Sequence, residues 1–305
     1  MYSDYTYPLG KLIQLLSILY HLYADDTQTQ KSFNPRNSGA EDKARSVIER
    51  SFSEISTWMF NNKLRLNPDK TEFIIFSSKV NSKRISTKSL LLDSEEITAV
   101  PVVRNLGVLM DNRLTLDAQL AHVVKSCYYY LNWIKKIRKY LSKEVAKSIV
   151  HALVISRIDY CNGLYINLPK YATEKLQRIM RSAARLIAQP SWNASITKIC
   201  KELHWLPVPE RTQFKVLTLV YKAIHDDAPS YLSEMIQRYR PQRKLRSTSS
   251  NLLAVKKTRV RYGARAFSVS GPELWNQLPS DIRNSQSLSI FKRKLKTYLF
   301  QKAYF

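Results

Sequence analysis

From Leu116 onward apolar residues recur every third or fourth position, whereas before Asp111 they come in short runs broken by turn-forming residues. That change of period constrains the fold most, because a 3.6-residue period buries one stripe of a helix and short alternating runs build strands. Leu116, Leu120, Val124, Cys127, Leu131 and Ile134 define one helix. Ser142 suits the N-cap of a second, with Val145, Ile149, Leu153 and Ile158 facing inward. Thr173 suits the cap of a third, which buries Leu176, Ile179, Met180, Ala183 and Ile187. Pro209 suits the first turn of a fourth, with Phe214, Leu217, Val220, Tyr221 and Ile224 inside. Ser287 or Ser289 can start a last basic, amphipathic helix in which Ile290, Phe291, Leu295 and Leu299 share a face.

The first third reads differently. Residues 15–23 and 27–33 are strand-like around Ala24-Asp25-Asp26, which predicts a hairpin. Residues 41–62 place Ala44, Val47, Ile48, Ile55, Trp58 and Met59 at helical spacing. A turn at Asn67-Pro68-Asp69 leads to an expected strand over 72–76, and two more short strands are expected at 97–103 and 106–110. The fold class is therefore α+β. A sheet-and-helix domain is expected over 1–112, a mostly helical one over 113–235, and a basic segment over 236–305 that ends in the amphipathic helix.

Charge follows the same division. Residues 1–100 hold 13 basic against 12 acidic side chains, 101–200 hold 16 against 5, and 201–305 hold 20 against 7. Such a field attracts polyanions, of which nucleic acid is the commonest. Cys127, Cys161 and Cys200 are odd in number and widely spaced, which suggests reduced thiols in an intracellular, non-secreted protein of the nucleus or cytoplasm. The apolar run 12–23 is interrupted by Gln14, Ser17 and His21 and falls short of the roughly 20 residues that cross a bilayer, so no membrane segment is expected. With six glycines and no glycine-rich phosphate loop, no small-molecule cofactor is expected either.

An Asp-Asp dipeptide in a turn is ordinarily solvated. Here, however, "HLYADDTQ" precedes an amphipathic helix, then "WMFNNKLRLNPDKTEFIIF", then "VRNLGVLMD". In this order the chain resembles the reverse transcriptases of non-LTR (LINE-type) retrotransposons. "SRIDYCNGLY", "LQRIMRSAARLI", "LHWLPVPERTQFKVLTLVYKAIH" and "GPELWNQLPSDIRNS" are similar to stretches that follow the palm in one branch of that family.

The resemblance implies a truncated palm followed by a thumb-like helical region. It also implies RNA-directed DNA polymerase chemistry, in which two Mg²⁺ or Mn²⁺ ions about 3.5–4 Å apart activate the primer 3′-hydroxyl and stabilise the leaving pyrophosphate. Asp25 is then the main metal ligand and Asp26 a secondary one. Lys70 aligns with a proton donor or charge stabiliser for pyrophosphate, and reads equally well as an exposed lysine after a turn. Tyr23 either touches the primer end or serves as a β-core tyrosine. The family also needs an upstream aspartate. Only 22 residues precede Tyr23, and Asp4 is their sole acid, so the expectation is a fragment with weak metal binding and little activity alone, unless the missing portion acts in trans. Lys135, Lys136, Arg138, Lys139, Arg178, Arg181 and Arg185 are the candidates for gripping an RNA/DNA template–primer duplex by its phosphates. The "RPQRKLRS" and "KKTRVR" clusters suit phosphate contacts or a nuclear-import signal. The alternative is a non-catalytic, basic nucleic-acid-binding protein that keeps the hairpin as structure.

Overall fold

The computed structural model describes residues 2–93, 95–191, 194–240, 251–258 and 260–305. The chain is α+β and divides into two compact units, Met1–Leu116 and Asp117–Phe305.

In the first unit, helix α1 (Tyr2–Leu15) leads into strands β1 (Leu19–Tyr23) and β2 (Asp26–Gln30), which pair antiparallel. The apolar run expected to be strand from residue 15 is thus split. Leu15 ends the helix, and Ser17, at φ 57, turns the chain so that only the part from Leu19 onward is extended. Helix α2 (Ala40–Asn61) follows and buries Ala44, Ser51, Ile55 and Met59. Leu9 and Ile13 of α1, Ile18, and Ile55 and Met59 of α2 form the core, with Tyr20, Leu22 and Trp58 packed on it. One face of the hairpin therefore rests on the helices.

Strands β3 (Ser89–Leu92) and β4 (Glu95–Thr98) pair, as do β5 (Val102–Asn105) and β6 (Val108–Asp111). No strand forms over 72–76, where the chain makes a single parallel bridge from Phe73 to Ala99. There the Val100 N–H donates to the Phe73 oxygen at 2.8 Å, and just beyond the stretch the Ser77 N–H donates to the Asn112 oxygen at 3.0 Å.

The second unit is helical. Helices α3 (Asp117–Ile137), α4 (Lys143–Val150), α5 (Ser156–Asp159) and α6 (Lys170–Ala188) precede α7 (Ile196–Glu202), α8 (Val208–Ile224) and α9 (Ser230–Ser233). Helices α10 (Arg261–Arg265), α11 (Phe267–Asn276), α12 (Ser280–Arg283) and α13 (Leu288–Tyr304) complete it. Ser142 caps α4 by accepting from the Val145 N–H at 3.3 Å, and Ser287 caps α13 in the same way through Ile290. The expected inward face of α4 is rotated by one residue. Ala146, Val150 and Val154 are buried, whereas Val145 is exposed. Small Ala146 allows close approach of the neighbouring helix α6, and a π-turn over His151–Ile155 resets the phase.

α3 and α6 pack together through Leu120, Cys127, Leu131 and Ile134 on one side and Leu176, Ile179, Met180, Ala183 and Ile187 on the other. A second core joins Val216, Leu217, Val220 and Tyr221 of α8 to Leu253, Trp275, Phe291, Leu295 and Leu299. Residues beyond 236 thus share a core with α8. Two buried polar groups there are satisfied: Trp275 Nε1–H donates to the Asn251 oxygen at 2.8 Å and the Tyr221 hydroxyl to the Ser285 oxygen at 2.9 Å. Gly271 permits the contact of α11 with α8, since a Cβ there would lie 2.8 Å from Val220 Cγ2.

Candidate functional site: the aspartate hairpin and the basic helices

Tyr23 pairs with Asp26, leaving Ala24-Asp25 as a two-residue loop. Of these two, Ala24 alone has positive φ, at 52°, which a hairpin of this length ordinarily assigns to glycine. Asp25 occupies the tip and Asp26 opens β2, and both are exposed. Because side chains alternate along a strand, placing Tyr20 and Leu22 on the helices turns Leu19, His21 and Tyr23 outward. Tyr23 is 66% exposed and is no core tyrosine. Behind the hairpin, Gly10 of α1 lets the Tyr20 hydroxyl approach, since a Cβ there would sit 3.3 Å from it. The cleft at this junction encloses about 280 Å³ and is lined by Tyr7, Lys11, Gln14, Tyr20, Leu22 and Ala24 among others.

Two carboxylates at an exposed tip do not make a two-metal centre, which needs further hard oxygen donors converging on the same point. Among the described residues, no group of three or more His, Cys, Asp or Glu side chains could hold a metal ion. Asp111, on a neighbouring hairpin, is already engaged: its carboxylate accepts from the N–H groups of Arg113 (3.1 Å), Thr115 (2.9 Å) and Leu116 (2.6 Å). The Asp4 side chain lies outside the described set. The residues present therefore do not fit a resident Mg²⁺ or Mn²⁺ pair. Lys70 is exposed at the end of the 3₁₀ turn Pro68–Lys70. Asp25 and Asp26 are neighbours at the hairpin, and Lys70 makes no ion pair with either among the described residues.

The basic candidates divide in two. Lys135, Lys136 and Lys139 are exposed, as are Arg178, Arg181 and Arg185 along α6. Arg181 also pairs with Glu174 at 2.6 Å. Arg138 departs from expectation. It is 8% exposed, and its guanidinium donates to the carbonyl oxygens of Leu141 (2.7 Å), Leu186 (2.8 Å) and Ile187 (2.8 Å). It closes the C-terminal end of α6, where carbonyls lack helical partners and the helix dipole favours a cation, so it cannot reach a phosphate. By this bond the ends of α3 and α6 meet, placing Lys139 and Arg185 at the same end of the unit. Of the tail clusters, most of "RPQRKLRS" lies outside the described residues, while Lys256 and Lys257 are exposed.

One feature of α3 was missed from sequence. Opposite its buried face lie Tyr129, Trp133 and, on the following 3₁₀ turn, Tyr140, which are 62%, 57% and 76% exposed. Aromatic residues four apart on the lysine-bearing side of a helix are the signal that would have found them. No family model, no curated protein and no solved structure matches the chain.

Proposed function

We propose that the chain is a non-LTR reverse-transcriptase-like fragment, a palm hairpin joined to a thumb-like helical region, that binds nucleic acid through its basic helices. The observation that supports this reading best is the two-residue hairpin with Asp25 at its tip and Asp26 beside it, in a chain whose remaining helices carry an excess of exposed Lys and Arg. In the intact family this hairpin holds divalent cations. Here the two aspartates are only part of such a donor set, so no nucleotidyl-transfer step is assigned to these residues alone. A further carboxylate from another segment or chain would complete the set. Lys135, Lys136, Lys139, Arg178 and Arg185 are the phosphate contacts, and contacts of that kind position a duplex without reading its bases.

Titration with Mn²⁺, followed by paramagnetic broadening of backbone amide signals, tests the hairpin. Broadening centred on Asp25 and Asp26 and abolished by Asp25→Asn supports a residual metal site. No broadening at millimolar Mn²⁺ favours the second reading, a non-catalytic basic nucleic-acid-binding protein in which the hairpin is structural. The exposure of both aspartates, and the absence among the described residues of a group of three or more His, Cys, Asp or Glu that could hold a metal, favour that second reading.

A further inference from the structure

The solvent face of α3 is unlike an ordinary helix surface. At 100° per residue, His122, Lys125, Tyr129, Asn132, Trp133 and Lys136 fall on one stripe, opposite the buried Leu120, Val123, Cys127, Leu131 and Ile134. Each of these six residues is exposed, and Tyr140, exposed on the 3₁₀ turn that follows, carries the Lys139 ammonium over its ring at 4.8 Å. Tryptophan is among the most buried residues on average, so an exposed Trp133 flanked by two more exposed rings is not accounted for by packing. The helix has one acid, Asp117, in its first turn, while Lys125, Lys135, Lys136 and Lys139 surround the rings.

From this arrangement we infer that the outer face of α3 is a stacking platform for single-stranded nucleic acid. Bases stack on Tyr129, Trp133 and Tyr140, and the lysines neutralise the phosphates between them. The inference rests on the nucleic-acid reading of this unit and adds the strandedness of the ligand and the residues that hold it. Tyr129 and Trp133 are separated by a rise of about 6 Å, since each residue advances the helix by about 1.5 Å. Adjacent charges on one strand of a duplex are about 3.4 Å apart along the axis, so bases that use both rings must be splayed out of a stack. Only a single strand offers that, and aromatic rings within a basic track are how such strands are held without sequence preference.

Charge complementarity excludes the commoner occupants of an aromatic surface. The centres of protein interfaces are depleted in lysine. A helix that lies on a membrane buries a broad, uninterrupted apolar face, whereas here the two rings are interleaved with His122, Lys125, Asn132 and Lys136.

The test uses the full chain with fluorescently labelled oligo(U), a blunt DNA duplex and phosphatidylserine vesicles. Trp133→Ala and Tyr129→Ala should each weaken oligo(U) binding by about tenfold or more, which is what losing one stacked base costs. The salt dependence should stay as it was and duplex affinity should be unchanged, while Trp133→Phe should retain most of the binding. Lys136→Ala should instead reduce the salt dependence. Three results overturn the inference: oligo(U) affinity unaffected by Trp133→Ala, an equal loss on the duplex, or a loss confined to vesicles. If duplex binding stays salt-dependent in any of these cases, only the α3 platform falls. If the chain binds neither oligo(U) nor duplex, the nucleic-acid reading falls with it.

Discussion

Arg138 reaches from the end of α3 to donate a hydrogen bond of 2.8 Å to the carbonyl oxygen of Ile187, in the last turn of α6. Residues 49 positions apart are joined by a buried charge that closes a helix terminus. Replacing Arg138 with Ala leaves carbonyls of Leu141, Leu186 and Ile187 without that donor, and should cost about 3 kcal/mol of stability in urea unfolding. Lysine should not restore it, because one ammonium cannot reproduce the planar fork. Unchanged stability with weakened nucleic-acid binding would return Arg138 to the surface set.

The loop residue Ala24 holds a positive φ that costs an L-residue about 1–2 kcal/mol, and glycine avoids the cost while giving back part of it as chain entropy. Ala24→Gly should therefore stabilise the first unit by about 0.5–1 kcal/mol. Slower amide exchange in β1 and β2 is the observable, and faster exchange would contradict a left-handed conformation at Ala24.

His151 Nε2 accepts a hydrogen bond from Trp205 Nε1–H at 3.1 Å, which requires that nitrogen to be unprotonated. Burial pulls the imidazole below its ordinary value near 6.5, nearby Arg211, Lys147 and Lys296 pull the same way, and Asp159 opposes them. A folded-state value below the unfolded one means that the unfolded chain takes up the proton first as pH falls. The contribution to stability is complete above about 6.5 and is lost as pH falls from there through the folded value. NMR titration of the His151 ring should give a midpoint below 6.5, and Trp205→Phe should move it upward. A midpoint at or above the ordinary value would remove the indole contact.

The helical half was largely legible because its signal is local. Leu176, Ile179, Met180, Ala183 and Ile187 show the 3.6 period in the sequence and are all buried, and Ser142 and Ser287 cap where their side chains predict. Thr173, by contrast, caps nothing, because α6 already starts at Lys170 and the Thr173 hydroxyl donates to the Lys170 oxygen at 3.1 Å. The failures lie where distant residues decide. Residues 72–76 look like a strand, yet only Phe73 finds a partner, in Ala99. β3 escaped notice because Ser89–Leu92 is too short to display alternation. Arg138 read as a surface cation because its partners are the last carbonyls of a helix nearly fifty residues on. At the candidate site the sequence located the hairpin and its two aspartates, but Tyr23 faces solvent once Leu22 points inward. Convergence of Lys70 with the aspartates is a tertiary property that no local pattern encodes.

Affinity for a blunt duplex measured across a range of salt concentrations tests the nucleic-acid function most directly. The log of the binding constant should fall linearly with the log of salt, and replacing Arg178 and Arg185 with Ala should lower the slope by about 1 per residue, whatever the duplex sequence. Arg181→Ala should lower it less, because Glu174 already pairs with that guanidinium. Binding that ignores ionic strength, or a slope unmoved by the loss of Arg178 and Arg185, would contradict the assignment of the basic helices to phosphate contact.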